Sequence, residues 1–315
     1  MNTLSRTACA LAIAAAVSVS LHAQWPSYPT PGVPRTADGK PILDGPAPRT
    51  ADGKVDFSGI WGLGGGGGGG RGRGAGAGAA GRGGAAAAPA AGAPAAAPAT
   101  VPAPAPAAAP DPNAIPTSQF FEVAGRGFAL PLQPWAAELK KKRMADNSKD
   151  NPDVWCLPIG LMQYHNHPQP RQIVQTKNLM LITYESNYGL RYIYMDGRPA
   201  PNNDPTPWWF GYSRGWWEGN DTLVVETTNF RGDERAGWLD VNGSPYTDAL
   251  KMTERFRRPT FGTMQIDITI DDPKAYTKPF TVRVNHRLMV DTEMIEFICN
   301  ENEQSSKHIE PPKKS

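Results

Sequence analysis

From Arg171 to Cys299 the chain reads as short runs of strand-forming residues separated by turns, with no helical pattern between them. The runs are 172–176, 179–185, 190–195, 222–228, 250–256, 264–270, 280–288 and 294–299. Met264, Ile266, Ile268 and Ile270 fall on one parity, and Gln265, Asp267 and Thr269 on the other, which is the two-residue period of a strand with one buried face. Leu250, Met252, Glu254 and Phe256 alternate in the same way. Hairpin spacing without crossover helices means antiparallel sheet and excludes a βαβ architecture. So many strands must close on themselves or have their edges covered. The expected fold is mainly β: an antiparallel meander forming a barrel or strongly curved sheet, lipocalin-like, with a two-sheet sandwich as the alternative. One short helix precedes it at 134–145. Pro134 stands at its first position, Trp135, Leu139 and Met144 form its apolar stripe, and its lysine run forms the solvated face.

The segments around this body are unlike it. Residues 1–23 read as a secretory signal peptide: Arg6 gives the positive start, Ala8 to Val19 the short apolar run, and Ala23 a small residue for cleavage. Residues 24–61 form a Pro-rich arm with an internal near-repeat, in which Pro34-Arg-Thr-Ala-Asp-Gly-Lys40 recurs as Pro48-Arg-Thr-Ala-Asp-Gly-Lys54. Each copy carries an Asp-Gly turn, and Phe57, Ile60 and Trp61 are apolar anchors expected to dock on the body. Residues 62–113 are almost entirely Gly, Ala and Pro and offer no core, so they read as a disordered linker or an insertion. The β-rich domain is assigned to 114–303 and a polar tail to 304–315. No later run is long and apolar enough to span a bilayer, so a soluble mature chain is expected, periplasmic or extracellular, with envelope association possible through the arm. Cys156 and Cys299 are the pair left after removal of the leader, and in an oxidising compartment they read as a disulfide.

Between Ala114 and Glu303 there are 21 Lys and Arg against 24 Asp and Glu, so the body is mildly acidic and a nucleic-acid function has no electrostatic support. None of the standard nucleophile-elbow, zinc-protease, phosphate-loop or dinucleotide signatures is present. Three candidate clusters remain. His165-Asn-His167, on an extended segment, would point both imidazoles the same way, to chelate a metal or to act as acid and base. No third ligand is obvious, although His286 or Glu254 could supply one, and no metal or cofactor is assigned. The aromatic segment Trp208 to Glu218, with Tyr212 and Trp216, offers a wall flanked by Arg198 and Arg214, and by Arg191, as anion donors, with Glu218 placed to orient an arginine. Finally, Glu254 paired with Glu218 or Asp240 could do acid/base work on a sugar or an acidic C–H.

Several motifs resemble those of a family of exported bacterial proteins: the Pro48–Lys54 repeat, Phe57-Ser-Gly-Ile-Trp61, Cys156-Leu-Pro-Ile-Gly160, Tyr194-Met-Asp-Gly-Arg198, Gly215 to Val225, Thr253-Glu-Arg-Phe256 and Thr269 to Pro279. That family often has His where this chain has Tyr212 and Tyr246. The resemblance implies one exported β-rich domain, with 62–113 inserted behind Trp61, and implies no particular reaction.

The leading functional expectation is an exported binding or carrier protein for a small apolar or aromatic ligand. The alternatives are a periplasmic hydrolase or lyase using these acid/base residues or a metal, and an envelope-associated structural protein.

Overall fold

A computed structural model describes residues 28–64, 114–115, 129–201 and 207–301. The leader 1–23, nearly all of 62–113 and the tail 304–315 lie outside the described residues. The strands are β1 (Gly59–Leu63), β2 (Ala114–Ile115), β3 (Arg171–Gln175), β4 (Leu179–Tyr184), β5 (Leu190–Tyr194), β6 (Tyr212–Glu218), β7 (Thr222–Thr228), β8 (Lys251–Thr260), β9 (Thr263–Asp271) and β10 (Phe280–Met289). Neighbours pair in the order β1-β3-β4-β5-β6-β7-β8-β9-β10, and β1 pairs again with β10. Nine strands thus close a barrel with no free edge, and the two-residue β2 adds parallel to the start of β10.

The barrel expectation therefore holds over the sandwich, with three corrections. Pairing is mixed rather than wholly antiparallel, because β5 and β6 run parallel at Ile193↔Ser213 and Tyr194↔Arg214. The strand expected at 294–299 does not form. Its place as the closing strand is taken by β1, at the end of the Pro-rich arm, with Trp61↔Leu288 on one side and Trp61↔Arg171 on the other. A second helix, α2 (Leu161–Asn166), accompanies the expected α1 (Pro134–Ala145).

The alternation read from β8 to β10 sets the inside of the barrel. Met252, Glu254, Phe256, Met264, Ile266, Ile268, Ile270, Val282 and Val284 are buried, and the residues of the other parity face outward. One mouth is filled by the arm. Val55, Phe57 and Trp61 are buried, Phe57 stacks on Trp217 at 6.2 Å and meets Phe256 edge-on at 5.9 Å, and Gln175 holds Val55 O and Phe57 N through its side-chain amide, each at 2.9 Å. Arg258, inside the same mouth, donates to Asp56 O at 2.5 Å and to Phe261 O at 3.0 Å.

The other mouth is filled by α2, all six of whose residues are buried, and by the long β7–β8 connection. Only glycine fits at 160, because a Cβ there would lie 2.2 Å from Trp238 O. α1 packs over this connection with Ala136 and Arg143 inward, while Trp135 and Met144 are exposed, so the expected apolar stripe is not the packed face. Arg143 lies 3.9 Å over the Trp238 ring and donates to Gly237 O, Gly243 O and Glu234 O at 2.9, 3.2 and 3.1 Å. These contacts outweigh the weak apolar stripe. Cys156 and Cys299 form a disulfide with Cα atoms 5.5 Å apart, which ties the segment before α2 to the chain after β10. Among the described residues no helix is long and apolar enough to cross a membrane.

Candidate functional site

Glu254 belongs to the inward parity of β8, between Met252 and Phe256, so its carboxylate is carried into the barrel by the register that buries its neighbours. β5 does the same with Arg191, which shares the parity of Ile193. The two side chains meet as a bidentate pair, Nη1 to Oε1 at 2.9 Å and Nη2 to Oε2. Arg191 is completed by Ser213 Oγ and Thr227 Oγ1, each at 3.0 Å, and these two hydroxyls bond each other at 2.9 Å. From α2, His165 Nε2 reaches Glu254 Oε1 at 2.8 Å.

Further buried groups meet at His165. Its carbonyl oxygen accepts from His286 Nε2 at 3.1 Å and from Arg171 Nη1 at 3.3 Å, while Arg171 Nη2 donates to His167 O at 3.1 Å. The Tyr184 ring lies 5.8 Å from the Arg171 guanidinium carbon and 4.3 Å, centroid to centroid, from Tyr164.

Burial alone would raise the Glu254 carboxyl. The Arg191 charge and the hydrogen bonds from His165 and Arg191 instead hold it down at about 2, so it is a carboxylate. Burial lowers His165 despite Glu254, and pushes His286 well below the usual imidazole range with help from the Arg171 charge. Both imidazoles are therefore neutral, and their hydrogen bonds fix the tautomers. Glu254 and His165 O are acceptors, so each Nε2 carries the proton and each Nδ1 presents a lone pair. Those two Nδ1 atoms are buried without a hydrogen-bond partner, as is Arg171 Nε, whereas the Tyr184 hydroxyl is turned to Arg191 and the Tyr164 hydroxyl to the backbone of Ile159. Burial also brings Arg171 down to about 10 and raises Tyr184.

The remaining sequence candidates are distributed elsewhere. His165 and His167 do not point together. The segment is helical rather than extended, and His167, at the end of α2, turns away to lie 3.9 Å from Asp153. Glu218 is on the outer face of β6, paired with Arg255 at 2.5 Å rather than with Arg198 or Arg214. Asp240 is buried in the β7–β8 connection, where its carboxylate accepts from Ser244 N at 3.0 Å and Ser244 Oγ at 2.9 Å. The three carboxylates thus face three different regions, and only Glu254 joins the histidines.

The aromatic wall is outside the barrel. Tyr212, Arg214 and the exposed Trp216 share the outer parity of β6, while Trp217 takes the inner one against Phe57. Tyr212 stacks on Tyr194 at 5.2 Å and meets Trp208 at 5.6 Å. Arg198 lies 4.0 Å over Tyr194 and chelates its neighbour Asp196, and Arg214 pairs with Glu226 at 2.7 Å. Arg191 therefore parts from Arg198 and Arg214, which stand outside.

Sequence reasoning missed Arg171, Tyr184, Tyr164, Ser213 and Thr227 as members of the interior set. A charged residue on an otherwise apolar parity is the available signal, and it marks Glu254, Arg191 and His286. Among the described residues no three His, Cys, Asp or Glu are grouped to hold a metal ion. No protein-family model, curated protein or solved structure matches the chain. The fold and this cluster define a closed β-barrel with a buried polar interior, an architecture in which small-molecule sites are commonly built.

Proposed function

We propose that the chain is an exported small-molecule-binding protein whose site is the barrel interior around His165, rather than its outer aromatic wall. The observation that carries this is the set of three buried polar atoms without partners, Arg171 Nε, His165 Nδ1 and His286 Nδ1, on side chains that meet at the His165 carbonyl oxygen. Folded proteins satisfy such groups almost universally, with an internal water, an ion or a bound guest where the protein itself supplies no partner. An apolar or aromatic cargo finds its surface at Tyr192, Tyr194, Tyr212 and Trp216 on the outer face, where the tyrosines already stack on each other. The interior instead favours a polar ligand. Export is supported by the leader and by the disulfide, which suits an oxidising compartment. We also read the chain as a member of the exported family that its motifs resemble.

Native mass spectrometry of protein isolated from its own host tests the binding reading. A retained small molecule at one per chain is expected. Protein of bare mass that also gives no thermal shift across a broad metabolite library would overturn it.

One observation favours an enzyme as the second reading. His165 is held by a carboxylate on Nε2 and presents a neutral Nδ1, the geometry of an oriented general base. Turnover of a bound ligand that is lost in His165→Gln would move the assignment from carrier to enzyme.

A further inference from the structure

We propose that the groove between the Pro-rich arm and the end of β8 binds a small phosphate monoester, seated on Arg49, Arg257 and Arg258. No residue of this groove belongs to the His165 cluster, so the two sites are tested separately.

The groove has a volume of about 450 Å³ and takes its charged lining from three stretches: Arg49 from the arm, Asp221 from the β6–β7 turn, and Arg257 and Arg258 from β8. A regular strand sends adjacent side chains to opposite faces. The β8–β9 register shifts between Arg257 and Thr260, at the rim of the barrel, and there two successive arginines line one groove. The walls are held in place without a ligand. Arg49 donates to Gly53 O at 2.9 Å and to Asp221 at 2.6 Å, Val55 N to Asn220 O at 2.9 Å, and Arg258 Nη1 to Asp56 O at 2.5 Å.

Charge selects the ligand. Three arginines against one aspartate give the lining a surplus of two positive charges, in a body that is otherwise mildly acidic. Arg257 shares its partner, since Asp267 also takes Arg283 at 2.6 and 2.9 Å. Arg258 is buried, with the Trp61 and Phe261 rings 4.8 and 5.1 Å from its guanidinium carbon. Its hydrogen bonds go to the main-chain oxygens of Phe261, Asp56 and Ser58, and among the described residues no carboxylate bonds to it. A buried guanidinium with neutral partners alone is a costly state that an anion relieves.

A phosphate monoester carries close to two negative charges at neutral pH and presents three terminal oxygens on one atom, enough for one to each arginine. A single carboxylate brings half that charge, a dicarboxylate divides it between two ends, and a polyol brings none. The uncharged remainder of the lining, with Val55 and Pro259, leaves room for a small organic substituent. Because one wall is the arm and the other the barrel, the bound ligand would bridge them.

The test is thermal unfolding of the full chain with glycerol 3-phosphate, against glycerol, acetate and malonate at matched ionic strength. Glycerol 3-phosphate should raise the wild-type Tm by roughly 2–4 °C at saturation, and the other three by less than half of that. Half-saturation should be about tenfold weaker in Arg257→Gln and in Arg49→Gln, which alter opposite walls. Arg255→Gln is the control. It removes the same charge from the same strand, where Arg255 pairs with Glu218 outside the groove, and should leave half-saturation unchanged. Sedimentation with phosphatidylcholine vesicles carrying phosphatidate identifies the source of the group. A soluble monoester is expected, with no protein retained on the vesicles. Retention that is lost in Arg257→Gln would assign the same site to a lipid headgroup. Malonate or acetate stabilising as well as glycerol 3-phosphate would overturn the phosphate assignment. Equal weakening in Arg255→Gln and Arg257→Gln would mean general attraction to a charged face, and would overturn the site. The absence of any Tm shift in the wild type, with no retention on vesicles, would overturn both.

Discussion

Replacing Glu254 by Gln keeps the shape of the side chain and removes the charge that Arg191 was folded against. Arg191 would remain fully buried with neutral partners in place of a charge, among them Ser213, Thr227 and Tyr184. Breaking a buried ion pair from one side costs about 3–5 kcal/mol, so Glu254→Gln should lower the urea midpoint by a large fraction of a typical domain's stability. The same group makes stability depend on pH. Its folded pKa of about 2 lies below the ordinary 4.5, so the unfolded chain takes up its proton first as pH falls. The stabilisation is full above pH 4.5 and is lost as pH drops through about 2, a span worth roughly 3 kcal/mol. His165 and His286 act earlier and in the same direction. Their folded pKa values lie below 6.5, so acidification below that value favours the unfolded, protonated histidines. Wild-type stability should therefore fall from pH 6.5 downward, in denaturant titrations at pH 7, 5.5, 4 and 3, and Glu254→Gln should flatten the part below 4.5. An unchanged slope there would show that Glu254 is not the titrating group. Glu254 and His286 were legible as residues of an apolar parity, which is a statement about one strand. Their meeting with His165, Arg171 and Tyr184 was not, because it depends on how β3, β4, β5, β8, β10 and α2 are placed around one interior.

At the scale of elements, the near-repeat in the arm is a duplicated clip. In each copy the arginine donates to the glycine oxygen four residues on, Arg35 to Gly39 at 3.0 Å and Arg49 to Gly53 at 2.9 Å. In each copy its other terminal nitrogen takes a body aspartate, Asp291 for Arg35 and Asp221 for Arg49. Thr36 and Thr50 bond Asp38 and Asp52 at 2.5 Å, which holds both turns. The second copy seats on the β6–β7 turn, where Lys54 Nζ donates to Gly219 O at 2.7 Å and Val55 N to Asn220 O at 2.9 Å. Two of the motifs noticed in the sequence thus exist to hold each other. The clips are exposed, so Arg49→Ala should cost less than about 1 kcal/mol. Phe57 is buried against Trp217 and Phe256, and Phe57→Ala should cost about 3–5 kcal/mol. Equal effects of the two substitutions on the denaturation midpoint would mean that the arm is held by its surface clips and not by its plug. The period-2 strands were readable because one face of each is buried and the other wet. α2 was not readable, since a six-residue helix buried on every side has no polar face to give it a period. The run 294–299 looked like a strand by composition, yet β10 already has its second neighbour in β1, so no edge is left for it.

At the scale of the whole molecule, covalent closure and barrel closure involve different pieces. The disulfide joins positions 143 residues apart, a loop whose closure is worth about 4–5 kcal/mol in the chain-entropy description, yet both cysteines lie after β2. The arm and β1 are joined to the rest only through residues 65–113 and by contacts. Those contacts are substantial: β1 pairs on both sides, and Val55, Phe57 and Trp61 are buried, each contributing about 1.5–3 kcal/mol. Cutting the chain at a protease site engineered within 65–112 should therefore leave the barrel closed, with residues up to 64 retained without a covalent link. The two pieces should co-elute in gel filtration and separate only in denaturant, and the nicked protein should melt with one transition, a few degrees below the intact chain. A chain beginning at 113 would lack the strand between β3 and β10, exposing both edges and emptying one mouth, and it should aggregate or remain partly unfolded. Supplying residues 24–64 as a separate peptide should then restore the barrel, read as recovery of the near-ultraviolet dichroism of the buried Trp61 and the half-buried Trp217. A fragment from 113 onward that folds alone with the full-length spectrum would show that β1 is an ornament on an already complete sheet, and would remove the arm from the architecture.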